Sequence, residues 1–178
     1  TGVQTCALPI SKIEEIIRDR RETELLPEAV KAKCMLQAEE LENLDVFIED
    51  KDHRLMKAAI TGLMISGGIS AVVTAGQRLL LLISSDKAEE RKMAAEIIGD
   101  LGIQSFYKPL LDLLNDESAE VVKAALVASG KVKNERLIEP LMQMFLQRKN
   151  EKLIINALHE AGDVSLKEVS RVLTHERL

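Results

Sequence analysis

Two histidine–glutamate pairs are the residues of this sequence that could hold a metal ion. His159-Glu160 lies in RKNEKLIINALHEAG, and His175-Glu176 lies in DVSLKEVSRVLTHERL. Imidazole nitrogens and carboxylate oxygens are good ligands for zinc and iron, but a site needs three or four of them to converge. The two pairs fall in different phases of the internal repeat described below. We therefore expect them at surfaces or helix ends, and we predict no metal site and no cofactor.

Other catalytic chemistry finds no support in the residues. The sequence has no G-x-x-x-x-G-K-[ST] loop, no G-x-G-x-x-G turn and no serine or cysteine in a nucleophile elbow. The segment 99–102, Gly-Asp-Leu-Gly, is interpreted as a helix end. Cys34 is the only thiol after the first ten residues, so that part of the chain cannot contain a disulfide framework. We predict no catalytic residue and a protein that is not an enzyme.

Six basic side chains could form a surface for a polyanion or could pair with acidic residues of neighbouring repeats. They are Arg54, Lys57, Arg91, Lys92, Lys123 and Lys152. The formal net charge of the chain is −5 and aromatic residues make up only 2%, so charge and base stacking both argue against nucleic acid. We expect these side chains to form ion pairs between repeats, with Asp50, Asp86 and Asp116, or to line a protein-binding surface.

The composition indicates which elements must position these residues. Hydrophobic residues make up 46% and charged residues 30%, while the chain has only 9 glycines and 4 prolines. This balance favours helices over strands, and the scarcity of aromatic residues means that the core must be aliphatic.

An internal repeat organises most of the chain. Three segments, D50-KDHRLMK-AA, D86-KAEERKM-AA and D116-ESAEVVK-AA, place an alanine pair eight residues after an aspartate. The repeat residues are Asp50, Ala58, Ala59 and Gly67, then Asp86, Ala94, Ala95 and Gly102, then Asp116, Ala124, Ala125 and Gly130, and finally Ala157 and Gly162 of a degenerate fourth copy. A period of about 30–36 residues suits one helical hairpin per repeat.

Each part of the motif has a physical reason. The aspartate ends one helix and caps or precedes the next, where its carboxylate can accept backbone N–H groups. The alanine pair allows another helix to approach closely, and the glycine is expected to end the helix in the left-handed conformation. A leucine-rich helix precedes the aspartate, and Pro109 and Pro140 lie at matching positions of two such helices.

The pattern resembles the HEAT-repeat, armadillo-like family over about 44–162. The resemblance implies an all-α fold, a right-handed α-α superhelix of about four helical hairpins, at 44–67, 71–102, 104–130 and 134–162. It also implies a non-catalytic scaffold that binds a protein partner or a neighbouring domain of the same chain, over an extended surface.

Some HEAT-like proteins are enzymes or bind DNA, and these alternatives are weighed against the residues. Deoxyhypusine hydroxylase, a HEAT-like enzyme, binds metal through four histidine–glutamate dyads in equivalent repeats. The equivalent positions here are Ile97-Ile98 and Val127-Ala128. HEAT-like DNA glycosylases hold duplex in a basic concave face, and phycobilin lyases share the repeat, but nothing in these residues recommends either activity.

A closer resemblance covers residues 75–141, which look like the cytosolic HEAT segment of bacterial transporters related to ADP/ATP translocases. GIQSFYKPLL and GKVKN carry this likeness. It implies a cytoplasmic regulatory module that is tethered to the inner membrane through an N-terminal membrane domain outside this sequence. A free-standing cytoplasmic adaptor remains the alternative.

A run of twenty residues without charge, Ala58 to Gln77, reaches the length of a membrane span. Gly67-Gly68 interrupts it, and several Ser, Thr and Gln residues dilute it. We therefore predict two buried helices joined at Gly67-Gly68, and no membrane span.

The two ends suggest that the sequence is a fragment. TGVQTCALPI (1–10) is the in-frame translation of sequencing-adapter DNA, and Ser11 fits the thymine that follows, so we expect residues 1–10 to be an artefact. Residues 11–43 should form flanking helices, and 163–178 should start a further repeat or form a capping helix.

Overall fold

The computed structural model describes residues 10–19, 24–37 and 44–175, and all regular structure in them is helical. The expected artefact at 1–10 lies outside these residues except for Ile10, which begins the first helix. The helices are α1 (Ile10–Asp19), α2 (Leu26–Leu36), α3 (Asp45–Ile48), α4 (His53–Ser66), α5 (Ile69–Ile83), α6 (Ala88–Leu101), α7 (Tyr107–Leu114), α8 (Ala119–Val132), α9 (Ile138–Leu146), α10 (Glu151–Ala161) and α11 (Asp163–His175). The prediction of an all-α chain built from helical hairpins is confirmed for the described residues.

The chain divides into two compact units, Thr1–Leu79 and Leu80–Leu178. In the first unit α1 packs on α2, α2 packs on α4, and the short α3 packs on α4. In the second unit α8 lies between α6 and α10, with α7 and α9 packed against their partners α8 and α10. Helix α5 begins in the first unit and ends in the second.

The flanking helices differ in detail from the sequence reading. The apolar periodicity predicts one amphipathic helix over 11–26 that stops at Pro27, but Glu24 and Leu25 form a turn, α1 spans Ile10–Asp19 and α2 begins at Leu26. Proline is tolerated in the first turn of a helix because its missing N–H has no intrahelical partner there. Ile13 and Ile16 of α1 are buried against Ala29 of α2.

The core of the first unit encloses the thiol. Cys34 of α2 is fully buried, and Gly62 of α4 faces it: a Cβ on Gly62 would lie 2.9 Å from the Cys34 Cβ and 2.7 Å from the Lys31 carbonyl oxygen. Burial raises the pKa of the Cys34 thiol to about 12. The residue therefore behaves as a small apolar side chain in the helix interface.

The charge-free run is split between two helices, as predicted, but the prediction that both are buried is wrong for the second, where Ile69 and Val73 are 88% and 52% exposed. Helix α4 ends at Ser66, Gly67 and Gly68 follow, and α5 begins at Ile69. Within the part of the chain that the structure describes, no helix combines the length and apolar character needed to cross a bilayer.

In the first three repeats, the turn before the second helix is held by a side chain that accepts a backbone N–H two residues later. Asp50 accepts from Asp52 at 2.8 Å and Asp116 accepts from Ser118 at 2.8 Å. In the middle repeat the hydroxyl of Ser85 accepts from the N–H of Lys87 at 3.1 Å. Ser85 therefore takes this role in place of Asp86, and the sequence alignment of that repeat is wrong by one residue.

The corrected alignment counts from the residue that precedes each second helix, namely Asp52, Lys87 and Ser118. Seven residues later lie Ala59, Ala94 and Ala125, all fully buried. The other members of the predicted pairs, Ala58, Ala95 and Ala124, flank these positions, and all three are at least half-buried. One small, completely buried residue per second helix is thus the common feature.

The first helices of the third and fourth repeats begin alike. A 3₁₀ turn, Gln104–Phe106 or Glu135–Leu137, leads directly into α7 or α9. Pro109 and Pro140 are each the third residue of their helix, where the missing N–H costs no intrahelical hydrogen bond.

The left-handed conformation predicted for the four glycines is wrong at Gly67 and Gly130, although Gly67 does end α4. Gly102 ends α6 with a left-handed φ of 62°, and Gly162 follows α10 with a φ of 63°. Gly67 is extended, with a φ of −70°, because the next helix starts two residues later; a side chain there would collide with the carbonyl of Leu63. Gly130 lies inside α8, which continues to Val132 and ends at the left-handed Lys133, with a φ of 54°.

Candidate interaction surface

The second helices of the last three repeats, α6, α8 and α10, pack side by side through small residues. A Cβ on Gly99 of α6 would lie 3.0 Å from both Cα and Cβ of Ala128 in α8. A Cβ on Gly130 of α8 would lie 2.9 Å from the Cα and from the carbonyl oxygen of Ala157 in α10. Gly99 and Gly130 each lie twelve residues after the start of the corrected alignment, so they are equivalent positions. They bring these helices close together.

An ion pair joins the second and third repeats. Arg91 donates from Nε and Nη2 to the two carboxylate oxygens of Asp116, at 2.7 and 2.9 Å, and the two side chains are only 12% and 8% exposed. The Nη1 group of Arg91 also donates to the backbone carbonyls of Ser85 and Asp86, at 2.8 and 3.0 Å. Hydrogen bonding to Arg91 lowers the pKa of Asp116. The guanidinium thus links the turn before α6 to the turn before α8.

At the opposite ends of the helices, Lys131 of α8 binds Asp100 of α6 at 3.0 Å and links the second and third repeats again. The third and fourth repeats are linked at this end too, because the side-chain amide of Asn134 donates to the carbonyl of Gln104 at 3.0 Å. Arg136 donates to the hydroxyl of Tyr107 at 2.8 Å and lies 5.2 Å from the centre of its ring. The second and third repeats are therefore fixed to each other at both ends.

The outward side of these three helices carries a mixed set of side chains, which we call the second-helix face. Its six residues occupy the fifth and ninth positions of the corrected alignment: Lys92, Glu96, Lys123, Val127, Ile155 and His159. Val127 and Ile155 are 43% and 52% exposed although they are β-branched and apolar. Lys123 binds Glu120 at 2.8 Å, and Lys123 and, to a lesser extent, Lys92 lower the pKa of Glu120. Both signs of charge thus surround an apolar centre.

The other predicted basic residues lie elsewhere. Arg54 binds Asp52 of its own turn at 2.8 Å, whereas the prediction was an aspartate of another repeat. Lys57 occupies the position equivalent to Lys92 and Lys123 in the first unit and is half-buried. Lys152 is exposed at the start of α10. Arg91 is thus joined to a predicted aspartate of the next repeat, Asp116.

A groove of about 530 Å³ opens between the third and fourth repeats. Apolar side chains of α7, α8 and α9, which we call its floor, line it together with polar and charged side chains, most of them from the turns that precede α8 and α10. The lining residues are Leu111, Leu114, Asn115, Asp116, Glu117, Ala119, Val122, Pro140, Gln143, Met144, Gln147, Lys149 and Asn150. The sequence analysis did not predict it, because it depends on a register that only the helix starts reveal.

The histidine–glutamate pairs lie on the last two helices and beyond them. His159 is exposed on α10, and His175 is the last residue of α11. Glu176 lies outside the described residues. Among the residues that the structure does describe, no group of three or more His, Cys, Asp or Glu side chains is placed to hold a metal ion.

Comparison with family models places these helices among known repeats. Residues 76–168, just over half of the chain, match a family described as HEAT repeats. The match includes α6 to α10, and therefore both the second-helix face and the groove. No curated protein matches the chain. The match over more than half of the sequence and the stacked helical hairpins agree, and the chain belongs to the HEAT-repeat family.

Proposed function

We propose that this chain is a non-catalytic interaction module that binds a protein partner, or a neighbouring domain of the same polypeptide, on the second-helix face. The observation that carries the proposal is the exposure of Val127 and Ile155 on helices held rigidly by small-residue packing. Apolar side chains surrounded by charges are typical of the centre of a protein interface. A rigid frame lowers the entropic cost of binding, since little has to be ordered when the partner arrives.

The finer proposal follows the resemblance of residues 75–141. We propose that the module is the cytoplasmic, regulatory part of a larger bacterial membrane protein related to ADP/ATP translocase-like transporters. Its partner would then be the transporter's own membrane domain or a following domain. The mixed charge of the second-helix face supports a protein surface as the partner more than a nucleic acid. A free-standing cytoplasmic adaptor would use the same face for a separate protein.

A retention experiment tests the interaction face. The purified chain is immobilised and exposed to a lysate of the source organism, and the retained proteins are compared for three forms. Wild type and a control variant, Leu166→Glu, should retain the same partner, because Leu166 is 66% exposed on α11 and is not one of the six residues of the face. The double variant Val127→Glu/Ile155→Glu should lose it. Equal retention by the double variant would contradict the proposed face.

The complete reading frame tests the finer proposal. Hydrophobic helices encoded upstream of Ser11 are expected for the transporter-like protein. A start codon shortly before Lys12 would contradict the transporter association and favour the adaptor, while leaving the interaction face to the retention experiment.

A further inference from the structure

The groove between the third and fourth repeats occupies the position equivalent to that of the Arg91–Asp116 ion pair, which lies between the second and third repeats. In the corrected alignment Arg91 is the fourth residue after Lys87, and Val122 is the fourth residue after Ser118. Asp116 is two residues before Ser118, and Arg148 is two residues before Asn150. At the groove, Val122 therefore replaces the arginine of the ion pair, and Arg148 replaces its aspartate.

The turn before α8 keeps the acceptors that Arg91 uses in its own repeat. Arg91 donates to the carbonyls of the two residues that directly precede Lys87, Ser85 and Asp86. The equivalent carbonyls before Ser118 belong to Asp116 and Glu117, and both residues line the groove. Neither of these carbonyl oxygens accepts a hydrogen bond from a described residue. Val122 lies in the place of the donor and cannot supply one.

We propose that this groove is the seat of an arginine side chain from a partner polypeptide. The guanidinium of the guest would donate to the carbonyls of Asp116 and Glu117, as Arg91 does one repeat earlier. The aliphatic stem of the guest would lie on Leu114, Val122 and Met144. Arginine buries its stem along apolar surfaces while its planar head forms several hydrogen bonds. Apolar neighbours in the guest would cover the rest of the floor.

The lining carries charges of both signs. Asp116 and Glu117 are both paired with Arg91, at 2.7 and 3.5 Å, and Lys149 is the ammonium among the lining residues. The acceptors offered to a guest are therefore the two backbone carbonyls, and the Glu117 carboxylate, which is 89% exposed and more loosely paired, can also turn toward the guest. Lys149 is on the other wall, so the guest cation belongs on the α8 side. The volume of about 530 Å³ falls within the usual range for ligand sites, roughly 300–1,000 Å³.

The probe is a short peptide, acetyl-Leu-Arg-Leu-amide, titrated into the whole chain with methyl-labelled valine and methionine. We expect saturable shifts of the Val122 and Met144 methyl signals. The dissociation constant should be in the millimolar range, which corresponds to a binding free energy on the order of −4 kcal/mol. The same peptide with citrulline, which is neutral and nearly isosteric, should bind at least about fivefold more weakly, because hydrogen bonds to a charged donor are the stronger ones. Equal binding of the two peptides would overturn the proposal, and so would an absence of shifts at Val122 and Met144.

Variants locate the seat. Val122→Arg supplies the guanidinium from within the chain and should abolish peptide binding, whereas Leu166→Arg, which adds the same side chain to α11, should leave it unchanged. If Val122→Arg misfolds by circular dichroism, Glu117→Gln replaces it, since an exposed side chain is tolerated; it should weaken binding at least about twofold. Undiminished binding to these groove variants would refute the seat. The double variant Val127→Glu/Ile155→Glu should bind the peptide normally, so loss of the second-helix face and loss of the groove are distinguishable.

Discussion

Replacing Gly130 with alanine tests the packing of α8 against α10. Alanine is favoured over glycine inside a helix by about 1 kcal/mol, so propensity alone predicts stabilisation. The new Cβ would lie 2.9 Å from the Cα and from the carbonyl oxygen of Ala157, and these backbone atoms cannot move aside independently. Overpacking of a well-packed core costs about 1–3 kcal/mol. The contacts are with backbone, so the steric cost should exceed the gain, and we expect Gly130→Ala to lower the free energy of unfolding by up to about 2 kcal/mol.

A matched glycine provides the control. Gly76 lies inside α5, and a Cβ there would meet no atom within 4 Å. Gly76→Ala should therefore raise the free energy of unfolding by about 0.5–1 kcal/mol, through propensity alone. The variants are compared by urea unfolding followed by circular dichroism at 222 nm. Because the two compact units need not unfold together, hydrogen exchange of peptides from α8 and α10 is measured in parallel. Exchange should increase in both helices for Gly130→Ala only.

The outcome that would refute the reasoning is an equal gain in stability from both glycine substitutions. A rescue experiment sharpens this further. Ala157→Gly removes a Cβ from α10, but the atoms that crowd position 130 include the Cα and carbonyl oxygen of Ala157. We therefore expect little recovery when Ala157→Gly is combined with Gly130→Ala.

Three further outcomes follow from single residues. Lys133→Gly should raise the free energy of unfolding by about 0.5–1 kcal/mol in urea titrations, because Lys133 ends α8 in the left-handed conformation that only glycine adopts without cost; unchanged or lower stability would contradict this. Arg91 lowers the pKa of Asp116 from 3.8, so this carboxylate contributes stability above about pH 5 that is lost as the pH falls through the folded pKa. Asp116→Asn should therefore be less stable than wild type at pH 7, and the difference should shrink in acid; a difference that stays constant down to pH ~2 would refute the assignment. In a Cys6→Ser background Cys34 should react with DTNB at pH 8 at least about 100-fold more slowly in the native chain than in urea, because burial raises its pKa to about 12, and comparable rates would show that the thiol is accessible.

The sequence predicted the helical class and the turn at Gly67-Gly68 because both depend on local properties. Helix-forming composition, a regular period and a glycine pair act within one segment, so their effect can be read without tertiary contacts. The fold class and this turn were accordingly correct.

The starting points of the second helices could not be derived in the same way. Ser85 and Asp86 can both accept a backbone N–H, and the sequence offers no means of choosing between them. Gly130 likewise has the same local signature whether it ends a helix or allows another helix to approach. Only the position of Ala157, far along the chain, decides that it serves the approach.

The groove was missed for a related reason. Val122 has no special feature in the sequence until the alignment shows that it is equivalent to Arg91 of the preceding repeat. That alignment depends on where the second helices start. The candidate site is therefore predictable from sequence at the level of which helices face outward. The sequence does not predict which junction between repeats has the arginine–aspartate ion pair and which has the groove.

The packing of α8 gives the stack a direction of growth. Ala128 of α8 lies close to Gly99 of α6, and Gly130 of α8 lies close to Ala157 of α10. Helix α8 therefore has both halves, the alanine and the glycine, of the glycine–alanine joint between repeats. Helix α6 contributes the glycine of the first joint, and α10 contributes the alanine of the second. Tandem duplication of the α7–α8 hairpin would therefore add a new joint of the same kind. Lengthening by copies of this hairpin is the route by which such a chain could acquire additional repeats without a new solution for packing them.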